Sequence, residues 1–539
     1  MDPALAVAQP ASKLGVVIVA AVAAAVLCDR DERRRAIWMV AAALLATVIL
    51  IGHIADTEQF RSISNDARKL VALCVGGGLA IGLLALLFRR RPEALPVLAV
   101  AVLPFRIPVA AAGTTANLLV PLYLVIAAGC TAYALRMMNK GARSATGSSG
   151  RGQDGAPEPR WAVRLPAVLA IFIVLYALQS LYSRDFDTAL EQLVFFLIPF
   201  ALLFRLLLDT QWSWRLLAVC AGVAVALALI FVGIGFWEYH RRELLWNPKV
   251  IAANQFESYF RVNSVFWDPN IYGRFLALVM LAVSAVMLWN RRTRLALWAA
   301  ALLAVLWGGL VLTFSQSSFA ALLAGLAVLA ALRWDARRTI AVAVFALAAA
   351  GLFALAFQST LKIHLGSNSG LNNVSSGRAD LIKGGAELFA NRPLFGYGSG
   401  SFGRAYRQER KGNQQQAVSA SHTLPVTVAA EQGIVGLVVY VWVLMAAFAT
   451  LFGDGAAARA PPDVDGGSRS PYLPARAALA AMFCALVVHT MGYAAFLEDP
   501  FTWVVLAVGL AIAPCARLET VRLRRPLRAH EPAARAATV

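Results

Sequence analysis

The chain has 539 residues, 59% of them hydrophobic and 15% charged, with a formal net charge of +19 and a mean hydropathy of +0.65. A soluble protein of this length cannot hide so much apolar surface, and the apolar runs are continuous instead of alternating, which excludes a transmembrane barrel. The positive charge is dispersed among the connections between those runs, so no nucleic-acid partner is expected.

Apolar runs long enough to cross a hydrocarbon core about 30 Å thick are predicted near 14–28, 36–52, 70–88, 94–110, 116–135, 165–182, 187–208, 214–236, 270–289, 295–313, 318–332, 339–357, 425–451, 476–496 and 501–515. The fold class is therefore an all-α polytopic membrane protein with about 12–15 transmembrane helices. No cleavable signal peptide is evident, since the first apolar run starts near Leu14 without a basic n-region of the usual kind. The six cysteines fall within or at the ends of apolar runs without a CxxC pair. They read as small core residues.

Alternate connections are arginine-rich: "RDERRR" (30–35), "RRRPE" (89–93), "RRTR" (291–294), "RWDARR" (333–338) and the tail "RLRRPLR" (522–528). The positive-inside rule puts these on the cytoplasmic face. The Gly/Ser/Pro-rich stretch 139–160 and the stretch 453–473 fall on the same side as flexible linkers. This register divides the chain into N-terminal helices (1–135), a cytoplasmic linker (136–164), a membrane core (165–516) and a basic cytoplasmic tail (517–539).

Two connections, 237–269 and 358–424, face outward and yet are basic. Arg241, Arg242, Lys249 and Arg261 lie in the first; Lys362, Arg378, Lys383, Arg392, Arg404, Arg407, Arg410 and Lys411 lie in the second. Cations on the translocated side run against the topology bias. They suit an anionic ligand such as a diphosphate, although simple solubility would also explain them.

The longer loop holds "SSGRADLIKGGAELFANRP" (375–393), in which Ser375 or Ser376 can cap a short helix ended before Pro393. Leu381, Leu388 and Phe389 give that helix a partial apolar face, and Arg378 sits in its first turn, where it opposes the helix dipole. "FGYGSGSFG" (395–403) follows. Its glycines, including Gly398 and Gly400, would let backbone amides approach a ligand, or simply form a turn; the Lys-Ser/Thr ending of a nucleotide loop is missing. The chain re-enters the membrane through "SHTLPVT", so His422 stands at the outer lip, with Pro425 in the first helical turn. Glu431, nine residues on, falls about 180° round a continuous helix from His422, where it is suited to holding a helix or loop in place. Gly433 and Gly436 suit close helix packing. In the other outer loop, "YFRVNSVFWDPNIYGRF" (259–275) carries Arg261 ahead of an Asp-Pro-Asn turn, with Arg274 one turn inside the next span.

Taken in order, "FRVNSVFWDPNIYGRFLAL", "SGRADLIKGGAELFANRPLFGYGSGSF" and "SHTLPVTVAAEQGIVGL" resemble the O-antigen ligase and O-antigen polymerase superfamily of bacterial envelope glycosyltransferases. The resemblance covers roughly 260–445; elsewhere the likeness is only that of helical spans. It implies a GT-C-like helical bundle with a large extracytoplasmic loop, in the bacterial plasma (inner) membrane. It also implies transfer of a glycan from undecaprenyl diphosphate to an acceptor hydroxyl, of lipid A-core or another glycan, with inversion and with neither metal nor other cofactor. Carried onto this chain, the catalytic set is His422, Arg378 and Arg261. Arg261, Arg378, Arg274, Asn270, Gly398, Gly400, Arg404, Arg407 and Glu431 form the substrate-binding set. The family often has Asn after the histidine, where this chain has Thr423.

Two guanidiniums would hold the diphosphate leaving group, and a neutral imidazole would take the acceptor proton. No Asp-x-Asp pair or His/Cys cluster suggests a metal site. Within the superfamily a polymerase is the alternative, and a lipid-linked glycan flippase or transporter is the alternative of another class. For a transporter the candidate intramembrane groups are Glu191, Arg205 and His489. Each lies toward a span end, which disfavours an ion-coupled pump.

Overall fold

In the computed structural model, ten helices of 18 to 29 residues among the described residues are long and apolar enough to cross a membrane, with three shorter apolar helices beside them. The structure describes residues 3–54, 65–111, 114–144, 160–246, 254, 260–290, 292–334, 337, 339, 341, 378–409, 421–453 and 472–524. The chain is a multi-pass helical membrane protein. Nearly all of the span predicted at 339–357, and the capping residues Ser375 and Ser376, lie outside the described residues.

The chain opens with α1 (Pro3–Cys28), α2 (Glu32–Ile54), α3 (Ala67–Arg90) and the short α4 (Ala94–Val102). A small antiparallel hairpin, β1 (Ile107–Ala111) and β2 (Thr114–Leu118), comes next. It corrects the span predicted over 94–110. Pro104 and Pro108 bracket Arg106; each proline removes an amide donor, and a guanidinium inside the run opposes an apolar helix. Two longer helices follow, α5 (Val120–Ser144) and α6 (Arg160–Ser180). A single rod is then made of α7 (Phe186–Gln192), a π-helical turn (Leu193–Leu197) and α8 (Ile198–Leu208). The middle of the chain forms α9 (Trp214–Arg241), α10 (Pro269–Trp289), α11 (Thr293–Leu312) and α12 (Gln316–Arg333). The last elements are α13 (Arg378–Asn391), α14 (Phe402–Glu409), α15 (Leu424–Phe452), α16 (Tyr472–His489) and α17 (Pro500–Arg524).

The rod 186–208 and α10 are 72% and 78% buried, against 6% for α3. Both are apolar all round, as a helix surrounded by other helices must be, and they form the centre. Around them α10 packs on α12 and α16, α8 on α17, and α15 on α6. Phe204 meets Trp503 edge to face, with ring centroids 6.2 Å apart. Leu79, Leu83 and Trp298 are exposed and suited to lipid. Cys130 and Cys220 are buried, as core residues should be, whereas Cys28 and Cys74 are exposed, so the core reading fails for those two.

The arginine-rich connections gather at one end. Buried Arg35 reaches Asp209 at 3.0 Å and donates to the Tyr133 hydroxyl at 3.2 Å. Arg205 holds the same Asp209 at 2.5 Å, and Arg333 donates to the Leu288 carbonyl at 3.0 Å. The motif-bearing connections meet at the other end. There Arg261 reaches Thr313, Leu424 reaches Thr490, and Ser183 reaches Ser399.

Candidate active site

The first motif builds the start of α10. Asp268 caps the helix by accepting from the Asn270 amide at 2.6 Å, and Pro269 fills the first helical position. Upstream, Asn254 clasps the Arg261 backbone through two hydrogen bonds of 3.0 and 3.1 Å. The Arg261 guanidinium then forks. Nε donates to the Thr313 carbonyl at 2.9 Å and Nη2 to Asn270 Oδ1 at 3.3 Å. Asn270 Oδ1 also accepts from the Ser315 hydroxyl at 2.9 Å. Behind it, His489 Nε2 lies 3.2 Å from Ser317 Oγ and 3.3 Å from Ser318 Oγ. His489 thus belongs to a polar network at the motif end of the bundle.

Arg274 is placed differently from Arg261. Its guanidinium is 2% exposed and pairs with Asp499, 1% exposed, at 2.6 Å. It also donates to the Ala495 carbonyl at 3.3 Å. It therefore ties α10 to the segment before α17 and is committed to protein partners.

The glycine-rich turn is a socket for Glu431. Gly396, Gly398 and Gly400 have φ of +66°, +94° and +73°, a region that side chains rarely adopt. A Cβ at Gly398 would collide with the Ser183 backbone. The folded turn presents the amides of Gly400 and Phe402 to the two carboxylate oxygens of Glu431, at 2.8 and 3.0 Å. The Gly398 amide donates to the Glu431 carbonyl at 2.8 Å. The amides of Gly398 and Gly400 are thus spent on Glu431, the turn geometry that the sequence also allowed. Gly433 has φ +66° and ψ −162° inside α15; it breaks the helix against Leu394, where close helix packing was expected.

The outer loop docks on this turn. Leu388 and Leu381 of α13 pack with Tyr397, Phe402, Tyr406 and Ala430. Tyr397 has Arg184 over its ring at 4.4 Å and Arg392 at 4.7 Å, contacts worth about 0.5–2 kcal/mol each. Arg378 is the first residue of α13, but its side chain lies outside the described residues. Arg404 and Arg407 are exposed on α14, and Arg404 Nη1 donates to the Arg184 carbonyl at 2.8 Å.

His422 stands two residues ahead of α15 with φ +60°. Its neighbours are pinned. Ser421 Oγ is 2.8 Å from Thr427 Oγ1, the Thr423 hydroxyl donates to the Met491 carbonyl at 3.1 Å, and the Leu424 amide donates to the Thr490 carbonyl at 3.1 Å. Thr423, the departure from the family pattern, is thereby fixed to the segment after α16. His422 and Glu431 line one cavity of about 340 Å³. The helical-wheel expectation that they face apart fails because His422 precedes the helix.

Asp268, Tyr176, Gln192, Tyr493 and Glu498 line the same cavity. Burial, followed by the nearby Glu431 and Asp499, pushes the Glu498 carboxyl up to about 8. Burial likewise raises the Tyr493 phenol. Among the described residues no group of three metal-ligating side chains occurs.

With that geometry in hand, residues 301–441 match the family model described as O-Antigen ligase. This match to part of the chain supports the O-antigen ligase superfamily. No curated protein matches the chain. The matched segment carries Arg378, Gly398, Gly400, His422 and Glu431, while Arg261, Asn270 and Arg274 lie before it. The match supports glycan transfer of the O-antigen ligase and polymerase type in general. Sequence reasoning passed over Asp268 and Glu498 as site residues. One signal existed: Asp-Pro starts a helix at Asp268-Pro269 and again at Asp499-Pro500, and both aspartates cap helices at the motif end.

Proposed function

We propose that the chain transfers a glycan from undecaprenyl diphosphate to an acceptor hydroxyl at the extracytoplasmic face of a bacterial plasma membrane, by a metal-independent, inverting displacement. The observation that carries this reading is His422. Its backbone is held in the left-handed region on the lip of the cavity, a conformation costing roughly 1–3 kcal/mol. The tied residues on either side keep the imidazole there. In the reaction the acceptor oxygen attacks the anomeric carbon and the bond from that carbon to the diphosphate oxygen breaks. The hydroxyl proton passes to His422, and undecaprenyl diphosphate leaves as an anion. Arg261 and Arg378 stabilise the charge that develops on it. Arg404 and Arg407, exposed on α14, guide the anionic donor toward them. Glu431 and Arg274 act from behind, one seating the glycine turn and the other anchoring the segment that carries Glu498.

The test is single-turnover transfer by purified protein with lipid-linked glycan and acceptor. Loss of a general base slows a step by about 10²–10⁴, so His422→Ala should retain donor binding and lose at least about a hundredfold in rate. Near-normal turnover in His422→Asn would rule out proton transfer by this residue. In a deletion strain, loss of glycan from lipid A-core identifies a ligase, which the family description favours. Loss of long chains with single repeats retained identifies a polymerase.

A further inference from the structure

The cavity beneath His422 has an unexpected polarity for an enzyme acting on a diphosphate. Among the described residues no Lys or Arg lines it. Its polar wall is made of carboxyls, amides and hydroxyls, and its apolar wall includes the rings of Phe172, Tyr176, Tyr440 and Tyr493. A doubly charged anion gains nothing among carboxyls. A neutral ring bearing hydroxyls, with apolar C–H faces, fits such a wall, and a space of about 340 Å³ is of the size that holds small ligands.

Among the described residues three carboxyls line this space, and two of them are committed. Glu431 accepts from the Gly400 and Phe402 amides. Asp268 caps α10 through the Asn270 amide and bonds the Tyr493 side chain. Glu498, in the segment between α16 and α17, receives no hydrogen bond from any described residue. A half-buried carboxyl without a protein partner is costly unless something else meets it.

We propose that Glu498 is a substrate-contacting residue, binding a hydroxyl of the sugar ring seated in this cavity next to His422. The proposal rests on the transfer reading above and deepens it. It separates the saccharide, held by Glu498 and the aromatic walls, from the diphosphate, assigned to the arginines. Burial, with Glu431 and Asp499 also nearby, pushes the Glu498 carboxyl up to about 8. At neutral pH it therefore donates to one hydroxyl and accepts from another. The ring belongs either to the donor glycan or to the acceptor, and the experiment distinguishes them.

Binding is measured without turnover, in detergent, for three ligands: undecaprenyl diphosphate alone, undecaprenyl-diphosphate-linked glycan, and the isolated acceptor glycan. Glu498→Ala should bind undecaprenyl diphosphate as the wild type does and lose tenfold or more in affinity for one of the two saccharide ligands. Loss for the linked glycan assigns the ring to the donor; loss for the acceptor assigns it to the acceptor. Glu498→Gln, which keeps both a donor and an acceptor, should retain most of that affinity and serves as the folded control if alanine destabilises. Unchanged affinity for both saccharides in Glu498→Ala overturns the proposal, as does weakened binding of undecaprenyl diphosphate itself. Glu498→Gln as weak as alanine also overturns it, because hydroxyl recognition would then not explain the loss. Turnover is assayed separately. A wild type that binds saccharide through Glu498 but transfers none would sink the transfer reading and leave the Glu498 assignment standing.

Discussion

Arg274 and Asp499 form a buried pair, 2.6 Å apart and 2% and 1% exposed, and removing either partner strands the other. Breaking such a pair from one side costs about 3–5 kcal/mol. The two sides are not equivalent here, because Arg106 also lies in electrostatic reach of Asp499 and of Arg274. Arg274→Gln leaves Asp499 with Arg106 as a remaining cation, so its cost should sit near the lower figure, about 3 kcal/mol. Asp499→Asn keeps the cap on Phe501 but leaves two guanidiniums facing each other, so its cost should approach about 5 kcal/mol. The double replacement Arg274→Met/Asp499→Leu removes both desolvated charges and should cost less than either single variant. Equilibrium unfolding in detergent, followed for all three variants, gives the coupling energy directly. Additive single costs would refute the pairing argument. An Arg274→Gln variant less stable than Asp499→Asn would refute the part given to Arg106. Arg274→Gln should also retain donor affinity at temperatures where it is folded, since its contacts are with protein.

The remaining expectations are more direct. Gly398→Ala should lower stability and abolish transfer, because the new Cβ meets the Ser183 backbone at φ +94°; hydrogen exchange at the Gly400 and Phe402 amides reads the loss of the turn, and unchanged protection would contradict the socket. Glu498 has its carboxyl raised from 4.5 to about 8, so the folded state holds that proton more tightly than the unfolded chain. Stability should therefore fall as pH rises across that window, by at most about 1.4 kcal/mol per unit, and Glu498→Gln should flatten the profile; an unaltered slope would remove this residue as its source. Arg261→Lys should be nearly as harmful to turnover as Arg261→Ala, since an ammonium cannot span both the Thr313 carbonyl and Asn270. Turnover should survive excess EDTA, and activity lost to chelation but restored by magnesium or manganese would contradict a metal-independent displacement.

The spans were legible because length and apolarity alone decide them, and the two-sidedness of the bundle was legible in its arginines. The exception at 94–110 was written in Pro104 and Pro108, whose effect on the backbone outweighs the hydropathy of their neighbours. The site was legible as an order of motifs, and less so as contacts. That Glu431 would be held by Gly400 and Phe402, 31 and 29 residues away, follows from turn geometry that no spacing rule encodes. The break at Gly433 hid in the same way, since a glycine in an apolar run reads as a packing residue until its φ is known. Asp268 and Glu498 are single acids in short connections. Only the fold brings them to one cavity.

The tie between Arg274 and the segment before α17 also sets a timetable. Arg274 and its acceptor at Ala495 are 221 residues apart in the chain. A ribosome adding about 5–20 residues per second therefore leaves this arginine without its partner for on the order of ten to forty seconds. During that interval α10, the most enclosed rod of the finished bundle, has a cation near its end and an unfinished set of neighbours. Its guanidinium can reach back to the polar membrane surface, which holds the rod at a shallower depth. The arrival of Asp499 lets α10 settle, and the same step delivers Glu498 and Tyr493 to the cavity. The cavity that holds His422 is thus completed only once the segment before α17 is in place.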